Sequence, residues 1–434
     1  MKKIFGISIL LVMAVSLVSA QTEEKKSDWL QKLEKFKIKP SLGLQLWSSY
    51  TFDQKVFNEE TQSYDPVDDR LNFQLRRTRI GLKGQPYENL SFNFTIAIDL
   101  VGRDLLSGTE AGVNNGASPI FRLWNAYVQW RVLDKKEGLN VVFGYLPPQM
   151  GRESITSALR SNSMEKSWSQ NYLRRHLTGI GPGRTMGVNV GGVFYKENRT
   201  VNWSYDAGIF TPQFESYGGN SVGDHFSPLL VGRLVAHIGD PEFKKYGIGH
   251  KINYFGKRNG LSLALAASNQ GQTDLFESNQ AIGADFLLNW GNLNFDGEWS
   301  MLTRSGYFMV GEERQNESVA AQTGYVRAGY NITLSNGWVI EPVAMWMFFN
   351  GEMGAEAQGY ATQLKTMSGA EGKINVGANL YLNPDLKLSL FYTLRNGDAG
   401  DAGPGATVNN YFVQGGVGAI ERGNWLGLGL VGIF

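Results

Sequence analysis

Residues 148–183 gather Arg152, Arg160, Lys166, Arg174 and Arg175 against Glu153 and Glu165. Five cations over two carboxylates give this stretch a local charge of +3, in a chain whose formal net charge is +1. Guanidinium and ammonium groups at that density concentrate and orient anions. They supply no nucleophile and no base. The competing reading of the same stretch is a solvated surface loop.

A second set of cations falls where apolar and polar residues alternate. Arg76, Arg79, Lys83, Arg131, Arg233, Arg304, Arg327, Lys373, Lys387 and Arg395 all lie on the polar side of such runs. Asp99, Asp206, Asp296, Glu298 and Glu341 are interspersed with them. Arg76, Arg79, Lys83, Arg131, Arg152, Arg160, Arg174, Arg175, Arg233, Arg304 and Arg327 are therefore the expected anion-facing residues.

Catalytic chemistry is harder to assemble. "GNSVG" (219–223) matches a G-x-S-x-G elbow and His225 follows closely. The elbow needs a strained strand-to-helix turn beneath an oxyanion hole, whereas this segment sits in a Gly-rich loop between two strand patterns. His176, His237 and His250 are scattered and there is no Cys, so neither a Ser–His–Asp set nor a metal site forms from the sequence. No enzyme activity, cofactor or metal is expected. With 41 basic against 40 acidic residues, no broad basic face for nucleic acid is expected either.

The elements that must position these residues are strands. "LNFQLRR", "LSFNFTIAID", "NWSYDAGI", "NLNFDGEWSML" and "KLSLFYTLR" all alternate with period two, as a strand with one apolar face does. Such strands suit a sandwich with a dry core or a membrane barrel with a wet lumen. Loop lengths separate the two. Short turns ("GQPYEN", "LDKKEG", "YKENR", "WGN", "LSNG", "LNPD") alternate with long polar stretches at 53–69, 102–120, 148–183, 212–227, 306–319, 351–370 and 397–423. Short turns on one rim and long loops on the other mark an outer-membrane barrel.

The expected fold class is all-β, a 16-stranded antiparallel transmembrane β-barrel with one long loop folded into the lumen. Counting 246–256 and 410–420 as strands would give eighteen, but "WGN" and "LSNG" would then fall on the long-loop rim. Taking 239–259 as one long turn and 397–423 as one long loop restores the alternation. Near Arg77–Thr78 the apolar register slips from odd to even positions, which predicts a bulge there. Met164, Trp168 and Tyr172 recur every four residues, which predicts a short helix packed on the barrel wall.

The chain ends in "NWLGLGLVGIF", with Leu426, Leu428 and Leu430 two apart. In lipid every backbone group must be paired within the protein, so a terminal apolar strand requires a closed barrel. At the other end, "MKKIFGISILLVMAVSLVSA" reads as a secretory signal, cleaved after Ala20. The expected organisation is signal 1–20, periplasmic leader 21–35 and barrel 36–434, with "DWLQKLEKFK" (28–37) as a short amphipathic helix. Localisation follows as the Gram-negative outer membrane, with its lipid and lipopolysaccharide as partners.

Several segments resemble the phosphate-selective porin O and P family: "RRTRIGLKG" (76–84), "NAYVQW" (125–130), "GYLPPQMGRE" (144–153), "GRTMGVNVGG" (183–192), "YDAGIFTP" (205–212) and "VGRLVAH" (231–237). They run in the family's order through the first half of the barrel. The resemblance implies a homotrimeric porin whose third long loop enters the lumen, passing small hydrophilic solutes and ions, with small anions such as phosphate among them. No ring of lysines aligns residue by residue, and the polar faces are mixed in charge. That mixture argues for a general or weakly anion-preferring pore. A barrel hydrolase built on "GNSVG" and a non-transporting adhesin or structural barrel are the alternatives.

Overall fold

The computed structural model describes residues 33–107, 118–212, 223–310, 313–403 and 405–434. Sixteen strands form one closed antiparallel barrel. In chain order they are β1 (Lys39–Phe52), β2 (Arg70–Tyr87), β3 (Leu90–Val101), β4 (Phe121–Arg131), β5 (Asn140–Leu146), β6 (Thr185–Phe194), β7 (Val201–Thr211) and β8 (Leu229–Gly239). The second half comprises β9 (Gly260–Gln270), β10 (Ser278–Trp290), β11 (Leu293–Val310), β12 (Glu313–Tyr330), β13 (Val339–Asn350), β14 (Ala370–Asn383), β15 (Leu386–Asp398) and β16 (Asn424–Ile433). Each strand pairs with its sequence neighbours, and β1 pairs with β16 to close the ring. A two-residue strand, Ile332–Thr333, adds to the edge of β13.

Alternation sorts the side chains as the pattern dictates. On β16, Leu426, Leu428 and Leu430 point outward, while Gly427 and Gly429 face the lumen. A Cβ on Gly427 would lie 2.8 Å from the Met164 side chain and 2.2 Å from the Trp425 ring. The terminal strand thus alternates leucine toward lipid with glycine that makes room for the inserted loop. Large aromatics lie exposed around the end of the barrel that carries both termini, among them Tyr87, Trp130, Trp203, Trp290, Tyr330 and Phe434. Such a girdle marks a membrane interface.

The lumen is filled by residues 147–184. They contain α1 (Arg152–Ile155), a 3-10 turn (Ala158–Arg160) and α2 (Ser169–Thr178). Leu173 and Leu177 of α2 pack with Val142, Leu146, Phe210 and Leu229 of the inner wall. Tyr172 stacks on Phe349 at 3.7 Å between ring centroids. Gly179 ends α2 in the left-handed region, φ 76°, and its N–H caps the Arg175 carbonyl.

Four details differ from the sequence expectation. Of the expected loop 306–319, residues 306–310 and 313–319 continue β11 and β12, paired out to Val310 and Glu313. The helix begins at Ser169, so Met164 precedes it and packs with Trp47, Phe391 and Trp425. Serines hold that approach out of helix: Ser163 Oγ donates to the Glu165 carbonyl at 2.6 Å, the competition such side chains offer a helical backbone. The bulge lies one residue early, because Gln45 pairs Arg77 and Leu46 pairs Leu75, leaving Arg76 as the extra residue. Within 397–423, Tyr411–Gln414 and Gly418–Glu421 are strands, but they join Lys55–Asn58 and Ser63–Pro66 in a separate four-stranded sheet. Of the expected N-terminal helix, residues 33–35 are helical; the signal and the leader through residue 32 lie outside the described residues.

Candidate functional site

The loop divides the lumen into a charge-paired half and an open half. Toward β10–β15 it is fastened at every step. Arg152, wholly buried, donates to both Glu242 oxygens at 3.0 and 2.8 Å and to Asp285 at 3.0 Å. Asp285 also receives Arg233. Arg327 binds Glu153 and Asp296 at 3.0 and 2.7 Å. Glu298 accepts the Glu153 N–H at 2.9 Å and the Ser169 hydroxyl at 2.7 Å. Tyr172 donates to Glu371 at 2.5 Å. Arg304 donates to the carbonyls of His176 and Leu364. Buried charges persist only when paired and hydrogen-bonded in this way.

Toward β2–β4 the loop leaves a cavity of about 550 Å³. Among the described residues, nine basic side chains border it, against one carboxylate, Asp99. β2 contributes Arg76, Arg77, Arg79 and Lys83, and β4 contributes Arg122. Lys166, Arg174, Arg175 and Arg184 come from the loop. Glu165, behind the wall, takes both Arg76 and Arg77 at 2.6 and 2.5 Å. Burial works to raise the Glu165 carboxyl, but those two guanidiniums hold it below the usual carboxylate range.

Two bulges build this wall. Arg76 is the extra residue of β2, so Arg76 and its neighbour Arg77 both turn inward. Opposite it, Leu100 takes a left-handed φ of 63°. On β4, Thr95 pairs Asn125 and Ile96 pairs Leu123, leaving Trp124 as the extra residue. Bulges re-aim side chains in this manner beside functional sites. Two guanidiniums pack on the Trp124 ring, Arg79 at 3.9 Å and Arg184 at 3.7 Å from its centroid. Arg79 also grips Asp99 at 2.5 and 3.1 Å. Arg174 donates to Ser154 Oγ at 3.1 Å and to the Ser154 carbonyl. Lys166 donates to the Thr156 carbonyl at 2.7 Å; burial and then the Arg174 charge push its ammonium pKa down.

Of the residues singled out from sequence, Arg76, Arg79, Lys83, Arg174 and Arg175 come together at this cavity. Arg152, Arg233 and Arg327 are spent in buried ion pairs away from it. Arg304 lies beneath α2. Arg131 binds Glu137 at 3.3 Å on the rim carrying the termini, and Arg160 reaches Asp385 in a turn at that same rim, at 2.5 Å. Sequence reasoning left out Arg77, Arg122, Trp124 and Arg184 as site residues, and counted Lys166 only in the charge of the loop. The doubled arginine at the register slip and the alternation Phe121–Arg122–Leu123 were the available signals. Of "GNSVG", residues 219–222 lie outside the described residues; His225 is exposed and within 3.1 Å of Asp274 in the next outer loop. Among the described residues no three His, Asp or Glu stand together as a metal site.

No curated protein matches the chain. Solved structures do. The anion-selective porin from Comamonas acidovorans superposes with a TM-score of 0.54 at 12% identity, covering 92% of this chain and 99% of that one. OprB of Pseudomonas putida gives 0.53 at 12% identity, over 95% and 100%. The outer membrane channel DcaP of Acinetobacter baumannii gives 0.51 at 13%, over 92% and 97%. At such identities the likeness is one of fold. The family described as phosphate-selective porin O and P matches residues 43–401. A closed sixteen-stranded barrel with its lumen narrowed by an inserted loop is an outer-membrane channel, and by that match over most of its length the chain belongs to the phosphate-selective porin O and P family.

Proposed function

We propose that the cavity between β2–β4 and the inserted loop is the conduction path, and that it prefers anions. The observation that carries this reading is the charge imbalance: nine cations border the cavity, against Asp99 on its wall and Glu165 behind it. Burial, then Arg174 and Arg79, press the Arg184 guanidinium toward its neutral form. A guanidinium does not surrender its proton inside a protein, so an anion is what relieves the pressure. Cation-lined constrictions raise local anion concentration in this way. One structure of similar fold is an anion-selective porin, which supports the reading. The mixed charge of the whole inner surface belongs largely to the paired half, which a solute does not cross.

Small hydrophilic solutes and inorganic anions, phosphate included, are the expected permeants of such a path. Cleavage after Ala20, a leader at 21–35, a barrel from residue 36, a homotrimeric assembly and contacts with lipopolysaccharide complete the reading. The deciding measurement is the reversal potential across a planar bilayer in asymmetric KCl, repeated with phosphate added. Anion preference gives a reversal potential of the sign of chloride, with chloride current reduced by phosphate. A reversal potential of the potassium sign overturns it.

A further inference from the structure

The turn between β8 and β9, residues 240–259, enters the barrel from the end that carries both termini. It meets the inserted loop inside. Thr156 and His250 form a parallel backbone bridge, with the Ser157 N–H donating to the His250 carbonyl at 3.3 Å. Glu242, at the start of the turn, takes Arg152 of the loop. Between these anchors Gly247, Ile248 and Gly249 border the cavity, as do Ser157 and Leu159 of the loop.

Neither glycine is required by the backbone, since neither has a positive φ. Packing does not require them either: a Cβ built on Gly247 or Gly249 meets nothing within 4 Å. Other inward glycines behave differently; a Cβ on Gly191 would lie 2.4 Å from the Tyr246 ring. What glycine preserves at 247 and 249 is open space beside the path.

We propose that residues 240–259 form the second wall of the constriction, and that Gly247 and Gly249 are specificity-determining positions whose lack of side chains sets its aperture. The proposal rests on the cavity being the conduction path. A side chain at either position projects into the cavity, and a charge there acts directly on the passing ion.

The chain has no cysteine, so Gly247→Cys and Gly249→Cys each supply a unique thiol in the full-length barrel. Each is treated with an anionic sulfonatoethyl and, separately, a cationic trimethylammonium methanethiosulfonate, and modification is read by mass spectrometry. Both adducts are expected to lower single-channel current about twofold or more. The anionic adduct should move the reversal potential toward cations, and the cationic one should not. Ser335→Cys, in an exposed turn at the same end, should be modified with the current unchanged. If one glycine variant fails to assemble, the other carries the test; failure of both makes the glycines structural and overturns the proposal. Thiols that stay unmodified, or adducts that leave current and reversal potential as before, also overturn it. Arg174→Glu separates the two readings: if it shifts the reversal potential while these adducts are silent, the path is right and the second wall is wrong. If all are silent, the path lies elsewhere.

Discussion

Arg152 and Glu242 join two segments that enter the barrel from opposite ends, through two parallel hydrogen bonds at 3.0 and 2.8 Å. Both side chains are almost fully buried. Removing one partner strands a buried charge, at a cost of about 3–5 kcal/mol, whereas replacing both by apolar residues costs far less. Arg152→Met should therefore lower the thermal unfolding midpoint in detergent well below wild type. The double variant Arg152→Met with Glu242→Leu should recover part of the loss. Circular dichroism at the β-sheet band follows both; equal midpoints for Arg152→Met and wild type would mean that the pair does not hold the loop.

Selectivity should reside on the opposite face of the same loop. Two charges ~8 Å apart at an effective dielectric of ~40 interact by about 1 kcal/mol, several-fold in local occupancy. Arg174→Glu with Arg175→Glu should shift the reversal potential toward cations with the barrel intact, because neither side chain belongs to the strand ladder. Lys135→Glu with Lys136→Glu changes the same number of charges on an exposed turn and should shift it little. Equal shifts from both pairs would place selectivity outside the cavity.

The barrel was legible in the sequence because it rests on a period of two and on loop lengths, both local properties. Leu426–Gly427–Leu428–Gly429–Leu430 states which face meets lipid before any partner is known. What escaped was the division of the cations. Arg152 and Arg174 look alike within residues 148–183, yet one meets Glu242 and Asp285 and the other borders the cavity. That distinction depends on carboxylates 90 and more residues away, and no local pattern carries it. The bulges are an intermediate case. The slip between Leu75 and Ile80 announced an extra residue, but the pairing with β1 decided that it was Arg76 and so brought Arg77 inward.

At the seam, Gly427 faces Met164 and Trp425. Gly427→Val should overpack this contact and destabilise the closed barrel by roughly 1–3 kcal/mol. Adding Met164→Ala should relieve part of the cost. Deleting Phe434 should act differently, since it removes two backbone hydrogen bonds to Leu42, at 2.7 and 2.9 Å, that end the β1–β16 ladder. Outer-membrane levels of the truncated protein should fall well below those of Phe226→Ala, a substitution in an exposed loop. Equal levels would show that the seam does not need its last pair.

One contribution to the loop's acid sensitivity comes from an imidazole. His176 in α2 holds its Nε2 2.8 Å from the Gln280 carbonyl oxygen, so that nitrogen carries the proton. Burial, and next the Arg304 charge, lower its pKa from 6.5 to about 3. Between those values the unfolded chain binds a proton that the docked helix refuses, so stability falls as pH drops below 6.5. The loss is at most about 1.4 kcal/mol per pH unit. Glu165, whose pKa is lowered from 4.5, begins to lose its contribution only as pH falls to that value. His176→Gln, which retains a donor toward Gln280, should lower its unfolding midpoint less than wild type does, or raise it more, between pH 7 and pH 5. Parallel pH slopes for the two proteins would show that His176 does not contribute to the acid sensitivity.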